Sequence, residues 1–167
     1  YHSGTIGAAF TARNAGITGV AVSQAVTGWG VEGQGIEEVL KNQLWDTAAE
    51  VAKTAVGAVI SDPPEEPAVL NINVPNKKLN ELKGWRYTEV AKRSTRSMKN
   101  AKLEPKPGHE NSYRVEMSWG DPVTQPVETD VGAVMNDYVS LTWINSLDAA
   151  PPDRKGKVDK ALNSLIG

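Results

Sequence analysis

The sequence contains no cysteine and only two histidines, His2 and His109, among its 167 residues. The absence of cysteine excludes a disulfide framework and a thiolate metal site, and so few histidines make a histidine-based metal cage a poor expectation. No apolar run reaches the roughly 20 residues that a membrane-spanning helix needs, and no signal peptide precedes Tyr1. We therefore expect a cytoplasmic protein with no membrane partner, although a lack of cysteine also fits other compartments.

An excess of charge of one sign is missing as well. Lys and Arg total 18 against 20 Asp and Glu, which gives a net charge of −2 and a pI near 5.7. A chain so close to neutral provides no overall field that would attract nucleic acid, so we expect no nucleic-acid partner. The length suits one ordinary domain that buries a core without covalent staples.

The most informative stretch is the first one, where Ser3-Gly4-Thr5 precedes a run of small residues that predicts a helix. Unpaired N–H groups in a first helical turn attract anions, because they lie at the positive end of the helix dipole. The hydroxyls of Ser3 and Thr5 would add donors, and Gly4 lets the backbone come close. We therefore nominate Ser3, Gly4 and Thr5 as phosphate-binding residues. Simple capping of the helix is the alternative, since Ser, Gly and Thr are also ordinary capping residues.

Periodicity predicts the remaining elements. Gly16 ends the first helix, and the apolar run that follows is typical of a parallel strand covered on both faces. Asn71 and Asn73 alternate with apolar residues in the next predicted strand, where they would act either as ligands or as structural hydrogen-bonding groups. The predicted elements after Gly16 are a strand over 17–23, a helix over 36–59, strands over 69–74, 84–91, 112–120 and 138–144, a short helix capped by Thr129 or Asp130, and an amphipathic helix at the end of the chain.

Three segments, in the same order along the chain, resemble the signature of the SurE survival-protein family. Thr18 and Trp143 stand where that family usually has proline. The segments are Ser3-Gly4-Thr5-Ile6-Gly7-Ala8-Ala9 with Gly16-Ile17 and Val20-Ala21-Val22-Ser23, then Leu70-Asn71-Ile72-Asn73-Val74-Pro75, then Thr129-Asp130 with Tyr138-Val139-Ser140-Leu141-Thr142.

The resemblance implies a metal-dependent phosphatase that releases phosphate from nucleoside 5′- or 3′-monophosphates. In that family a divalent cation, here expected to be Mg²⁺ or Mn²⁺, is held by paired aspartates, a serine and an asparagine in an N-terminal portion. None of those positions can be matched in this chain, which resembles the C-terminal two-thirds of a family member. The resemblance therefore implies that the catalytic residues and metal ligands lie outside the chain, that a second chain carrying the first half is one source of them, and that this chain alone is inactive.

The fold class that follows is α/β, a partial Rossmann-like three-layer sandwich with an extended β-hairpin and a C-terminal helix used in oligomerisation. We assign residues 1–84 to the core, 85–127 to a projecting hairpin, 128–147 to a return to the core, and 148–167 to a helical tail. The resemblance, together with apolar residues on one side of the hairpin, implies a homo-oligomer, either a dimer or a tetramer.

Other interpretations stay open. The chain is alternatively an oligomerisation or anion-binding module without catalysis. A flavodoxin- or Rossmann-type nucleotide binder is less favoured, because no Gly-x-Gly-x-x-Gly follows a strand. The basic run from Lys92 to Lys102 either draws a polyphosphate or nucleic acid towards the site or forms a solvated loop, which we favour. Trp29, in a glycine-rich loop, either closes over a base or sugar or packs on its own loop or a partner.

Overall fold

The computed structural model describes residues 3–27, 36–147 and 157–166. Trp29 and most of its loop, and the beginning of the predicted tail, lie outside these ranges. The elements in chain order are α1 (Gly4–Asn14), β1 (Gly19–Gln24), α2 (Ile36–Lys41), α3 (Trp45–Ser61), β2 (Val69–Val74), a 3₁₀ turn (Leu79–Glu81), β3 (Trp85–Tyr87), β4 (Met98–Pro105), β5 (Tyr113–Trp119), α4 (Asp130–Met135), β6 (Val139–Ile144) and α5 (Lys157–Ile166).

The main sheet has four strands in the order β1-β2-β6-β3. β1 and β2 are parallel, β6 runs antiparallel to β2, and β3 is parallel to β6. The mixed sheet with its helices confirms the predicted α/β class, while the Rossmann-like assignment stays a prediction. β3 begins at Trp85, so the sheet continues a few residues past the predicted core boundary at residue 84.

Alternate residues of β2 contact helices on opposite faces of the sheet. Leu70, Ile72 and Val74 pack with α3 residues such as Ala48 and Val51. Val69 packs on the other face with Ala9 and with its α1 neighbours Ile6 and Phe10. The predicted separation of apolar residues from Asn71 and Asn73 is therefore confirmed, and α4 joins α1 on the asparagine face through its contacts with β2 and β6.

The turn between α1 and β1 follows directly from its residues. Gly16 has φ +84, Ile17 N–H donates to the Ala12 carbonyl, and Gly16 N–H donates to the Arg13 carbonyl. This is the hydrogen-bonding pattern of a Schellman C-cap, as the glycine predicted. Gly19 then lies so close to α1 that an added Cβ would collide with the Ala9 carbonyl oxygen. α1 therefore lies directly against the start of β1.

The predicted single helix over 36–59 is wrong, because the helix is interrupted between Lys41 and Trp45. The Gln43 side chain donates to the Val39 carbonyl and also bonds the backbone of Thr27. The Leu44 N–H donates to the Asn76 side chain, which comes from the loop after β2. The bonds to Thr27 and Asn76 are long-range, so the break depends on residues that helical periodicity does not register.

The basic run is only partly a loop, because β4 begins at Met98 and pairs with β5 as an antiparallel hairpin. The second arm of this hairpin was predicted, whereas the first arm was not. A register shift between Met98 and Asn100 interrupts the side-chain alternation of β4, and such a bulge hides a strand from a search for period two. Leu103 and Ala101 face Val115 and Met117 across the hairpin.

The chain enters and leaves the hairpin at adjacent points. Glu89 N–H donates to the Glu128 carbonyl at 3.0 Å, and Asp130 N–H donates to the Glu89 carbonyl at 2.9 Å. The Asp130 carboxylate accepts a further bond from Ala91 N–H. We call these paired backbone segments, Glu89–Ala91 and Glu128–Asp130, the neck of the hairpin.

Within residues 3–27, 36–147 and 157–166, none of the helices combines the length and apolar character needed to cross a membrane. α5 has exposed apolar side chains at Val158, Leu162 and Leu165. The use of this helix and of the hairpin in oligomerisation stays a prediction.

Candidate functional site

The N-terminus of α1 presents hydrogen-bond donors that have no partner among the residues that the structure describes. Ser3 is the N-cap in an extended conformation, and its hydroxyl makes no capping bond to the helix. Gly7 N–H is the first to be paired, donating to the Ser3 carbonyl at 3.0 Å, so the N–H groups of Gly4 and Thr5 have no intrahelical acceptor. Side-chain capping by Ser3 is therefore not observed. Ser3, Gly4 and Thr5 are all exposed, as an anion-binding turn requires.

Polar side chains lie at the end of the sheet where β1 and β2 finish. Ser23 and Asn73 are paired neighbours near the carboxyl ends of β1 and β2, and Ser140 lies opposite Asn73 on β6. α1 packs over Gly19 and Ala21, nearer the start of β1. Because the turn at Gly16 reverses the chain, the N-terminus of α1 extends towards this polar end of the sheet.

A cavity of about 600 Å³ lies between this polar end and α4. Ser23 and Asn73 contribute its sheet side, while Thr95 and Arg96 contribute a wall from the base of the hairpin. The other lining residues are Gln24, Ala25, Val26, Pro122, Asp130, Val131, Val134 and Met135. Sequence reasoning singled out Asn73 but did not bring it together with Arg96 and Asp130. The signals in the sequence were the place of Asn73 near the end of a strand, the basic run that contains Arg96, and the place of Asp130 at the start of a helix.

Asp130 uses one carboxylate oxygen to hold the neck. Its Oδ1 accepts from Ala91 N–H at 2.9 Å and from Val131 N–H at 2.8 Å. The predicted cap of α4 is confirmed at Thr129, whose hydroxyl accepts from Gly132 N–H at 3.1 Å. Asp130 therefore leaves helix capping to its neighbour, and within the described residues its Oδ2 makes no further hydrogen bond.

Deeper in the same face, three hydroxyls bond one another. The Thr88 hydroxyl lies 2.8 Å from that of Ser140 and 2.7 Å from that of Thr142. Ser140 and Thr142 are buried, as is Asn71 beside them on β2. These bonds satisfy polar groups that would be costly to bury alone, so the cluster is structural. Asn71 belongs to this buried layer, whereas Asn73 reaches the cavity.

A network centred on Asn76 holds the segment that follows β1. The Asn76 amide oxygen accepts from Gln24 Nε2 at 3.0 Å and from Leu44 N–H at 2.8 Å. Its nitrogen donates to the Thr27 hydroxyl at 2.6 Å and to Gln43 Oε1 at 2.7 Å. Two of these bonds hold Gln24 and Thr27 on either side of the lining residues Ala25 and Val26, and the other two tie this segment to the α2–α3 break.

The described residues do not form a metal site. They contain no group of three His, Cys, Asp or Glu side chains close enough to hold a cation. Asp130, the acidic residue of the cavity, already has one oxygen occupied by two backbone N–H groups. A hard divalent cation takes several oxygen ligands, carboxylates among them, and the described residues bring no cluster of carboxylates together.

Comparison with known proteins decides the family. Residues 1–97 match the sequence model of the family described as Survival protein SurE. The chain belongs to the SurE family. The matched range contains Ser3, Gly4 and Thr5 and also the cavity residues Ser23, Asn73 and Arg96, whereas Asp130 lies beyond it.

Named SurE proteins resemble most of the chain. The chain is 30% identical over 148 residues to "5′/3′-nucleotidase SurE" of Erwinia tasmaniensis, and the matched region covers 86% of this chain and 50% of that protein. It is 30% identical over 165 residues to "5′-nucleotidase SurE" of Ruthia magnifica subsp. Calyptogena magnifica, covering 98% and 59% respectively. The crystal structure of the SurE protein from Aquifex aeolicus superposes with a TM-score of 0.61 at 26% identity, over 98% of this chain and 57% of that one. The chain thus spans 50–59% of the length of these SurE relatives.

Proposed function

We propose that this SurE chain is part of a phosphatase that releases phosphate from nucleoside 5′- and 3′-monophosphates. The SurE relatives that it matches are named nucleotidases. The observation that carries the proposal is the N-terminus of α1, where N–H groups and two hydroxyls that have no partner among the described residues lie within the family match. Such a turn binds phosphoryl oxygens through aligned donors and the helix dipole.

In this proposal Ser3, Gly4 and Thr5 bind and orient the phosphate. Oriented donors stabilise charge on phosphoryl oxygens without reorganising during the reaction. The reaction also requires a divalent cation, Mg²⁺ or Mn²⁺, which would supply neutralisation of phosphate charge. Because the described residues do not fit such a cation, we place its ligands and the catalytic residues outside this chain, in an N-terminal portion or in a second chain.

Thr5→Val in the full-length phosphatase tests the phosphate site. The substitution removes one hydroxyl donor and keeps the branched shape, and a hydrogen bond to a charged group contributes about 1.5–3 kcal/mol. We expect weaker inhibition by vanadate and by inorganic phosphate. Thr11→Val is the matched control, because the Thr11 hydroxyl donates to the Gly7 carbonyl one turn further along α1. Unchanged vanadate inhibition in Thr5→Val would contradict the assignment.

The position of the metal ligands has a separate test. We expect the 167-residue chain, verified by intact mass, to hydrolyse no nucleoside monophosphate, and the full-length protein to lose activity in chelator and regain it with Mg²⁺ or Mn²⁺. Metal-dependent turnover by the chain alone would show that the ligands are within it. A full-length protein that binds phosphate but never turns over would favour the alternative, an anion-binding module without catalysis.

We also propose that the chain forms a homo-oligomer, a dimer or tetramer, through the hairpin and α5. Tyr113, Val115, Met117 and Trp119 on one face of β5 are each more than half exposed. Leu103 continues this apolar surface on β4. Contiguous exposed apolar surface of this kind marks interaction sites, and the amphipathic α5 offers a second such surface.

A further inference from the structure

The cavity between the polar end of the sheet and α4 has a chemistry different from that of the α1 N-terminus. Its two charged side chains, Arg96 and Asp130, are of opposite sign. Because Asp130 offsets the charge of Arg96, the cavity lacks the net positive charge that would favour a phosphate. The cavity therefore does not repeat the anion site but complements it.

The remaining lining residues are partly polar and in larger part apolar. Ser23, Asn73 and Thr95 offer a hydroxyl, an amide and a second hydroxyl, and no hydrogen bond joins these side chains to the described residues around them. Val131, Val134 and Met135 give α4 an apolar surface opposite them. Sites for small organic ligands combine apolar walls with a few placed polar groups in volumes of about 300–1,000 Å³, and a nucleoside presents the matching combination of a flat base and a hydroxylated sugar.

The cavity is also correctly placed for the second half of a nucleotide. It lies on the same face of the sheet as α1, at the end towards which the Ser3 turn points. A phosphate on the turn would leave the rest of a bound monophosphate to extend towards Ser23 and Asn73.

We propose that this cavity binds the nucleoside moiety of the substrate, with Asp130 Oδ2 accepting hydrogen bonds from it and Asn73 and Arg96 completing the recognition. The inference takes its substrate class from the proposed function. Asp130 is suited to the role because Oδ1, held by Ala91 and Val131 N–H, orients the carboxylate and leaves Oδ2 uncommitted among the described residues. The hairpin thereby contributes to selectivity through Arg96 at its base.

Asp130→Asn isolates this contribution. The amide oxygen keeps both backbone bonds at the neck, while a donor replaces the acceptor Oδ2. The full-length protein is assayed with adenosine monophosphate and with phenyl phosphate, which carries no nucleoside. We expect kcat/KM for adenosine monophosphate to fall about tenfold or more, the effect of one charged hydrogen bond, with phenyl phosphate changed by less than about twofold. Asp137→Asn, the same change at a carboxylate outside the cavity, should leave the ratio of the two substrates unaltered.

Equal loss on both substrates, or no change on either, would overturn the nucleoside assignment. A protein that hydrolyses neither substrate would instead contradict the proposed function. In that case equilibrium dialysis with labelled adenosine, which needs no turnover, still decides the inference. Adenosine binding that weakens in Asp130→Asn and in Asn73→Ala supports it, whereas no binding by the wild type, or binding equal in all three proteins, refutes it.

Discussion

β2 and β5 are both alternating strands, yet they lie in opposite environments. In β2 the side chains of Val69, Ile72 and Val74 are fully buried between helices. In β5 every residue is exposed, including the apolar set on one face. Alternation therefore predicts which side chains share a face, whereas the covering of that face depends on elements distant in sequence. In β2 those elements are α1 and α3, and for β5 we propose a second copy of the chain.

The largest expected effect tests the buried side of this comparison. Ile72→Ala should lower the free energy of unfolding by about 2–5 kcal/mol, because it leaves a cavity beneath α3. Ile60→Ala is the matched control, since Ile60 on α3 is 75% exposed, and should change stability by less than about 0.5 kcal/mol. Urea unfolding measures both. Similar losses in the two variants would mean that the β2 layer is not the core.

The exposed side is tested by Val115→Asp, which places a carboxylate on the apolar face of the hairpin. We expect self-association to weaken by about tenfold or more, because a charge would be desolvated at the interface. Ser118→Asp adds the same group to the opposite face of β5 and should leave association intact. Sedimentation velocity over a concentration series separates them. A wild-type protein that stays monomeric over the whole concentration series would contradict the proposal that a second copy covers β5.

Asn76→Ala tests how much the hydrogen bonds between loops contribute to the free energy of unfolding, compared with the apolar layers. Removal of the amide leaves Leu44 N–H without its acceptor and takes one of several partners from the Gln43 side chain, so we expect a loss of about 1–3 kcal/mol in unfolding free energy. Asn80→Ala, at an exposed position in the 3₁₀ turn, should be nearly neutral. An equal effect at the two asparagines would show that the network does not hold the α2–α3 break.

The smallest effect concerns an ion pair at the edge of the fold. Lys77 donates to Asp137 at 2.9 Å and Lys83 at 3.2 Å, and the Lys77 bond above all lowers the pKa of Asp137 below its ordinary value of 3.8. The ionised carboxylate is therefore favoured in the folded state, and its contribution is present above pH 3.8 and lost as the pH falls through the lower folded pKa. Asp137→Asn should reduce the Tm slightly at pH 7 and converge on the wild type in acid. Asparagine also tolerates the left-handed backbone at φ 69.

A pH-independent difference in Tm for Asp137→Asn would show that the side-chain charge is irrelevant. Glu65→Gln, in the exposed loop before β2, controls for the general loss of a negative charge.

Local signals were sufficient for α1, β1, β2 and β6, because each is a short contiguous run with its own composition or alternation; Gly16 follows α1 and Pro75 follows β2. They failed at Gln43 and Leu44, where partners from residues 27 and 76 interrupt a continuous helical stripe. They failed again at β4, where a bulge displaced the alternation. The Ser3 turn was predictable because it is contiguous, whereas the cavity joins Ser23, Asn73, Arg96 and Asp130 from four separated segments.

The neck of the hairpin has a consequence for how this protein tolerates change. Since Glu89 and Glu128 are joined by backbone hydrogen bonds, the intervening chain begins and ends at almost the same point in space. Insertions or deletions within residues 97–120 therefore alter the reach of the hairpin without displacing β3 or β6. A hairpin of another length would still leave Thr95, Arg96 and Asp130 at its base beside the cavity.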